Sequence, residues 1–233
     1  MSFSISSAPP LIGTQGGLRD LVDRLANEPI IAVDTESNSL YAYREQVCLI
    51  QFSTPSSDDL LDPLALDDLS PLGRIFSDKK IEKVFHAAEY DLICLKRDFG
   101  FQCTQLFDTM VAASALGREA VGLGDILEAE FGVQMEKQHQ RANWGERPLS
   151  PQLLAYARLD THYLIQLRHR LKAELETMDR WPMAADEFRR ICLASNHSQN
   201  STAKSAEETV WRIRGAMELE PRQAALLLEL CRY

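Results

Sequence analysis

The sequence has no CxxC pair, no long apolar run and no surplus of basic residues. Its five cysteines, Cys48, Cys94, Cys103, Cys192 and Cys231, are scattered and odd in number. That pattern argues against a zinc site and against a secreted disulfide framework, and it points to reduced, mostly buried thiols in the cytoplasm. No stretch of roughly 18 or more apolar residues occurs, so no membrane span is expected. Met1 to Pro10 carries neither the basic n-region nor the apolar h-region of a secretory signal. Lysine and arginine number 25 against 34 aspartates and glutamates, a net charge of −9. A protein that coats duplex nucleic acid is usually basic, because phosphate neutralisation supplies most of its affinity. The balance here leaves room for an enzyme that grips only a few nucleotides. No internal repeat is present.

What the chain does have is enough apolar content, 45% of 233 residues, for one well-packed domain with a tail or for two small domains. Leu18, Leu21, Val22 and Leu25 fall at helical spacing, and Ile30 to Asp34 reads as a strand buried on both faces. Val47 to Phe52 reads as a second strand, set off from a short third at Leu60 to Asp62 by the turn cluster Thr54 to Asp58. Leu66 to Phe76 reads as a weak helix, and Lys83 to His86 as a fourth strand. From Glu89 the period changes to a helix closed by Gly100; a short strand at Gln105 to Asp108 then precedes helices from Thr109 and Leu123. Ser150 and Pro151 supply an N-cap and an N1 proline for one long helix predicted to reach about Met178. A further amphipathic helix is predicted from Pro182 to Ala194. Strands first and helices interleaved afterwards indicate a layered α/β or α+β domain.

The chemistry lies in acids placed along this pattern. Asp34 and Glu36 are two apart on a strand, so both carboxylates share one face. An acidic pair at the end of a buried strand is costly unless a positive charge sits between the groups. Magnesium and manganese take such oxygens as ligands. Tyr156 and Asp160 are i and i+4 on the long helix and also share a face. Asp91 stands in the first turn of a helix, where by itself it reads as a helix-dipole residue. Asp108 reads as the cap of the Thr109 helix. His86 and His162 read as hydrogen-bonding residues rather than ligands.

Taken together, Val33-Asp-Thr-Glu36, Val84-Phe-His-Ala-Ala-Glu-Tyr-Asp91, Lys96-Arg-Asp-Phe-Gly100, Phe107-Asp-Thr109, Trp144-Gly-Glu-Arg-Pro-Leu149 and Tyr156-Ala-Arg-Leu-Asp-Thr-His-Tyr-Leu164 resemble the ribonuclease D family. These are DEDD exonucleases with tyrosine in the third motif. The resemblance spans about residues 18 to 178. It implies a ribonuclease H-like α/β fold, a mixed central sheet flanked by helices. It implies metal ligands Asp34, Glu36, Asp91 and Asp160, a catalytic Tyr156 and two divalent ions, Mg2+ or Mn2+. The implied activity is 3′→5′ removal of 5′-mononucleotides from single-stranded RNA ends, tRNA precursors among them. The same class also contains DNA exonucleases, and an inactive RNA-binding adaptor on this fold is the reading from outside enzymology. Leu40, Tyr41 and His86 are expected on the substrate side, Leu40 and Tyr41 as a wedge against the terminal base. Lys137 and Arg141, with His139 between them, are expected to contact phosphates. Trp144 and Arg147 read as structural.

The exonuclease domain is expected at residues 1–178, and a short helical extension with linker at 179–233. Ser195 to Ser205 reads as polar linker, and Trp211 to Gly215 resembles the entry to an HRDC-type helical region that is incomplete here. A monomer is expected, with no apolar seam left over.

Overall fold

The computed structural model describes residues 9–135, 139, 141–197, 215–216 and 219–232. The chain divides into two compact units, Met1–Asn196 and His197–Tyr233.

A six-stranded mixed sheet organises the first unit. Its strands are β1 (Leu11–Ile12), β2 (Ile30–Ser37), β3 (Val47–Ser53), β4 (Asp58–Leu61), β5 (Glu82–Phe85) and β6 (Leu106–Asp108), in the order β1-β4-β3-β2-β5-β6. β2 and β3 are antiparallel, as are β3 and β4, whereas β1–β4, β2–β5 and β5–β6 are parallel. The helices are α1 (Gln15–Leu25), α2 (Ser70–Ser77), α3 (Glu89–Phe99), α4 (Thr109–Ala115), α5 (Leu123–Phe131), α6 (Pro151–His162), α7 (Leu164–Thr177) and α8 (Trp181–His197). This is the ribonuclease H-like α/β layering expected from the motifs.

The central strands are buried on both faces, and β3 is buried along its whole length. That explains why they read as near-continuous apolar runs rather than as alternating ones. β2 is longer than its apolar run: it continues through Asp34 and Glu36 to Ser37, with a bulge after Glu36 where pairing to β3 slips. Parallel β2 and β5 run side by side, and their carboxyl ends open towards the N-terminus of α3. Crevices at such strand ends are where open α/β sheets place their ligands.

Two departures from the sequence reading matter. The single helix predicted from Pro151 to about Met178 is broken: α6 ends at His162, Tyr163 turns, and α7 begins at Leu164. No glycine or proline marks the break. Tyr163 instead stacks on Phe131, ring centroids 5.3 Å apart, and packs edge-on to His162. The partly buried ring packs against α5 at the point where the helix breaks. Second, the first unit runs past residue 178, the expected end of the nuclease domain. Trp181 and Phe188 of α8 both pack on Phe107 of β6, at 6.2 and 4.9 Å, so α8 belongs to the same core.

Local signals otherwise hold. Thr14 caps α1, Ser150 caps α6 with Pro151 at its first turn, and left-handed Gly100 and Gly132 close α3 and α5. Asp108 caps α4 through the Met110 and Val111 amides and also accepts from the Ala87 and Ala88 amides, which pins the loop before α3. Cys48, Cys94, Cys103 and Cys192 are free and buried. Lys83 is fully buried in β5, its ammonium donating to the Asp78 and Ile81 carbonyls at 2.7 Å each. Among the described residues, no helix is long and apolar enough to cross a membrane.

In the second unit, α9 (Pro221–Arg232) is a helix that starts at Pro221. Trp211 and the linker from 198 lie outside the described residues.

Candidate active site

Asp34 and Glu36 project from one face of β2. α6 lies across β2, β3 and β4 on that face and presents Asp160. One oxygen from each of Asp34, Glu36 and Asp160 falls within 4.8 Å of the others. Asp91 reaches the same region from the first turn of α3, close enough for its charge to act on each of the other three. Thr35, between the two β2 acids, donates its hydroxyl to Asp91 Oδ1 at 2.5 Å.

The electrostatics are one-sided. Among the described residues none of the four carboxylates forms a salt bridge. Asp160 is 7% exposed, and its Oδ2 is buried without a hydrogen-bond partner. Desolvation, then the charges of its neighbours Asp91, Asp160 and Glu36, holds Asp34 well above the usual carboxylate range. Glu36 is raised to about 9 by burial and then by Asp160 and Asp91. Burial raises Asp160 to about 8, with Asp91 adding to it. Burial also lifts Asp91, to about 7, against the lowering effect of the Thr35 hydrogen bond. Four converging acids, one with an orphaned oxygen and none with a cationic partner, fit a divalent cation bound through hard oxygen ligands.

Tyr156 is buried on the same helix, one turn before Asp160. Its ring lies between His139 at 5.5 Å and Trp144 at 6.3 Å. Trp144 is buried and Arg147 bridges it to the sheet. The guanidinium donates to Asp62, to the Cys48 carbonyl and to the Trp144 carbonyl, each at 2.6–2.7 Å. Both residues are the scaffold of the loop that shelters Tyr156.

The remaining candidates are less closely tied to the acids. Leu40 and Tyr41 are exposed in the loop after β2, and the Tyr41 hydroxyl donates to the Arg141 carbonyl at 2.6 Å. The structure thus brings Tyr41 and Arg141 together. Lys137 lies outside the described residues. His86 hydrogen-bonds Thr109 through Nδ1 at 2.9 Å rather than any of the four acids. His162 bonds Asp58 at 2.8 Å, and Arg158 bonds the same carboxylate at 2.6 Å. That pair belongs to a cavity that contains none of the four acids. Two residues escape a reading of the sequence. Thr35 is hidden inside the acidic motif, and Gln51 gives only the faint signal of one polar side chain in an apolar strand.

A family model described as 3′-5′ exonuclease matches residues 10–176. The chain belongs to the 3′-5′ exonuclease family. Within it, the exonuclease chain is 40% identical over 178 residues to Protein RRP6-like 3 of Arabidopsis thaliana, covering 76% of this chain and 20% of that protein. Among solved structures it resembles Escherichia coli RNase D, an exoribonuclease involved in structured RNA processing. The TM-score is 0.78 at 32% identity, over 96% of this chain and 58% of that one. It also resembles Brucella melitensis NrnC with bound Mg2+, with a TM-score of 0.67 at 26% identity over 77% and 89% of the two chains. The chain spans about a fifth of the Arabidopsis relative and under two thirds of the E. coli one.

Proposed function

We propose that this exonuclease is a metal-dependent 3′→5′ exoribonuclease that releases 5′-mononucleotides from single-stranded RNA 3′ ends, tRNA precursors among its substrates. The observation that carries this reading is the convergence of Asp34, Glu36 and Asp160 within 4.8 Å, with the Asp160 oxygen left unpartnered. Likeness to an exoribonuclease over nearly the whole chain supports RNA over DNA.

In this reading Asp34, Glu36 and Asp160 would hold one divalent ion, and Asp34 with Asp91 would hold a second, Mg2+ or Mn2+. When bound there, such ions would supply Lewis-acid activation of water and charge neutralisation at the scissile phosphate. The residues of the chain do the rest. Thr35 holds Asp91 in place through its hydroxyl and opposes the upward push of burial on that carboxyl. Tyr156 orients the attacking water through its hydroxyl, which can both donate and accept a hydrogen bond. His139 and Trp144 fix the ring that carries it. Leu40 and Tyr41 stack on the terminal base, and Arg141 and Lys137 meet the phosphates behind it. Scattered unpaired thiols support a cytoplasmic setting, and the protein is proposed to act as a monomer.

The test is a substrate panel. RNA and DNA of one sequence, each with a free or a 3′-phosphorylated end, are digested with magnesium and the products separated. Nucleoside 5′-monophosphates from free-ended RNA are expected. Equal or faster loss of DNA would move the assignment to a DNA exonuclease, and no loss of either would favour a binding adaptor.

A further inference from the structure

Gln51 is the one polar side chain inside the apolar run of β3, and it is 0% exposed. Among the described residues neither its Nε2 nor its Oε1 has a hydrogen-bond partner. A buried amide with all its groups unsatisfied is costly and rare, and such a group asks for an explanation. Its surroundings supply one. In the antiparallel ladder Gln51 stands directly opposite Asp34. Side chains at opposite positions share a face, with Cβ atoms roughly 4.5–5.5 Å apart. On its other side lies Leu60, which offers no partner. Over the same face runs α6: Ser53, two residues along β3, donates to the hydroxyl of Thr161 at 2.7 Å. The residue before Thr161 is Asp160, whose Oδ2 is the orphaned acceptor. An unpaired amide donor and an unpaired carboxylate oxygen therefore share one buried layer, with Asp34 alongside.

We propose that Gln51 is a positioning residue for the metal-ligating carboxylates. Its amide N–H donates to an oxygen of the Asp34–Asp160 pair when a cation draws those groups together, and so fixes which oxygens face the ion. The metal-free protein tolerates an unsatisfied amide because the holo site uses it. This inference rests on the metal-site reading above and adds a residue that does not itself touch the ion. Hydrogen-bond partners of ligating groups typically change metal affinity by about 10–100-fold.

The experiment compares the full chain with Gln51→Met, which keeps length and volume and removes both polar groups. Mn2+ binding is titrated calorimetrically, and thermal unfolding is followed without metal. The variant is expected to bind Mn2+ about tenfold more weakly or worse, and to melt in EDTA at the same or a higher temperature, since it buries no unsatisfied amide. Unchanged Mn2+ affinity overturns the proposal. So does a lower metal-free melting temperature, which would make Gln51 an ordinary packing residue. The wild-type protein gives an independent readout. With 15N-labelled glutamine, the Gln51 side-chain amide signals are expected to shift and exchange more slowly as Mg2+ saturates the site; signals that ignore Mg2+ overturn the proposal. If the wild-type chain binds no Mn2+ at all, the metal-site reading itself fails, an outcome distinct from equal binding by both proteins.

Discussion

The Thr35 hydroxyl donates to Asp91 Oδ1, and this one bond ties β2 to the first turn of α3. Asp34 and Glu36 face α6, so Thr35 between them faces the other way, towards α3. The order Asp-Thr-Glu thus places two of the proposed ligands and the partner of a third with three consecutive residues. Burial pushes the Asp91 pKa up, and the Thr35 hydrogen bond opposes that push.

Thr35→Val keeps the β-branched shape and removes the donor. Mn2+ affinity should fall about tenfold, as expected for loss of a ligand's hydrogen-bond partner, and saturating metal should restore most of the activity. Calorimetric titration and rates at low and high Mn2+ check this. Affinity equal to the parent's would mean that Asp91 needs no help from Thr35.

The metal-free protein should lose stability as pH rises. Carboxylates whose folded pKa lies above the unfolded value, which is near 4, bind more protons when folded. Their favourable contribution is complete below the unfolded pKa and disappears as pH climbs through the folded values. Those are about 7 for Asp91, about 8 for Asp160 and about 9 for Glu36. Melting temperature in EDTA should therefore fall between about pH 5 and pH 9, and saturating Mg2+ should flatten that slope by replacing protons with metal. A metal-free melting temperature that rises over this interval would contradict the repulsive cluster.

Tyr156→Phe should lower single-turnover cleavage by about 100-fold, the scale of a misplaced reactant, while RNA and Mn2+ binding stay within about twofold. The ring would still pack between His139 and Trp144. Quench-flow rates together with equilibrium binding separate the two effects. Unchanged cleavage removes the hydroxyl from the reaction.

Arg147→Met should cost about 3 kcal/mol of stability, because it leaves buried Asp62 without its ion pair. Urea unfolding measures it. A loss below about 1 kcal/mol would class the pair with ordinary surface bridges.

Much of this site was legible in the sequence because local rules place its parts. Period-2 geometry puts Asp34 and Glu36 on one face of β2, and helical period puts Tyr156 and Asp160 on one face of α6. Asp108 announces itself as a cap. What escaped reading depends on tertiary packing. The break at Tyr163 coincides with a partly buried ring stacked on Phe131, with no glycine or proline to signal it. The two-residue β1 exists only because Leu11 and Ile12 find Leu60 and Leu61. α8 joins the nuclease core through Phe107, a partner more than 70 positions away. The meaning of Gln51 appears only once its neighbour across the ladder is known to be Asp34.

The most direct measurement is digestion of a 5′-labelled single-stranded RNA by the purified protein with Mg2+, with EDTA, and by Asp34→Asn with Mg2+. The expected result is a ladder shortening from the 3′ end in the first case alone, with Asp34→Asn as stable as the parent in the absence of metal. Shortening that persists in EDTA or in Asp34→Asn would contradict a metal-dependent site built on these carboxylates, as would RNA left at full length by the Mg2+-loaded parent.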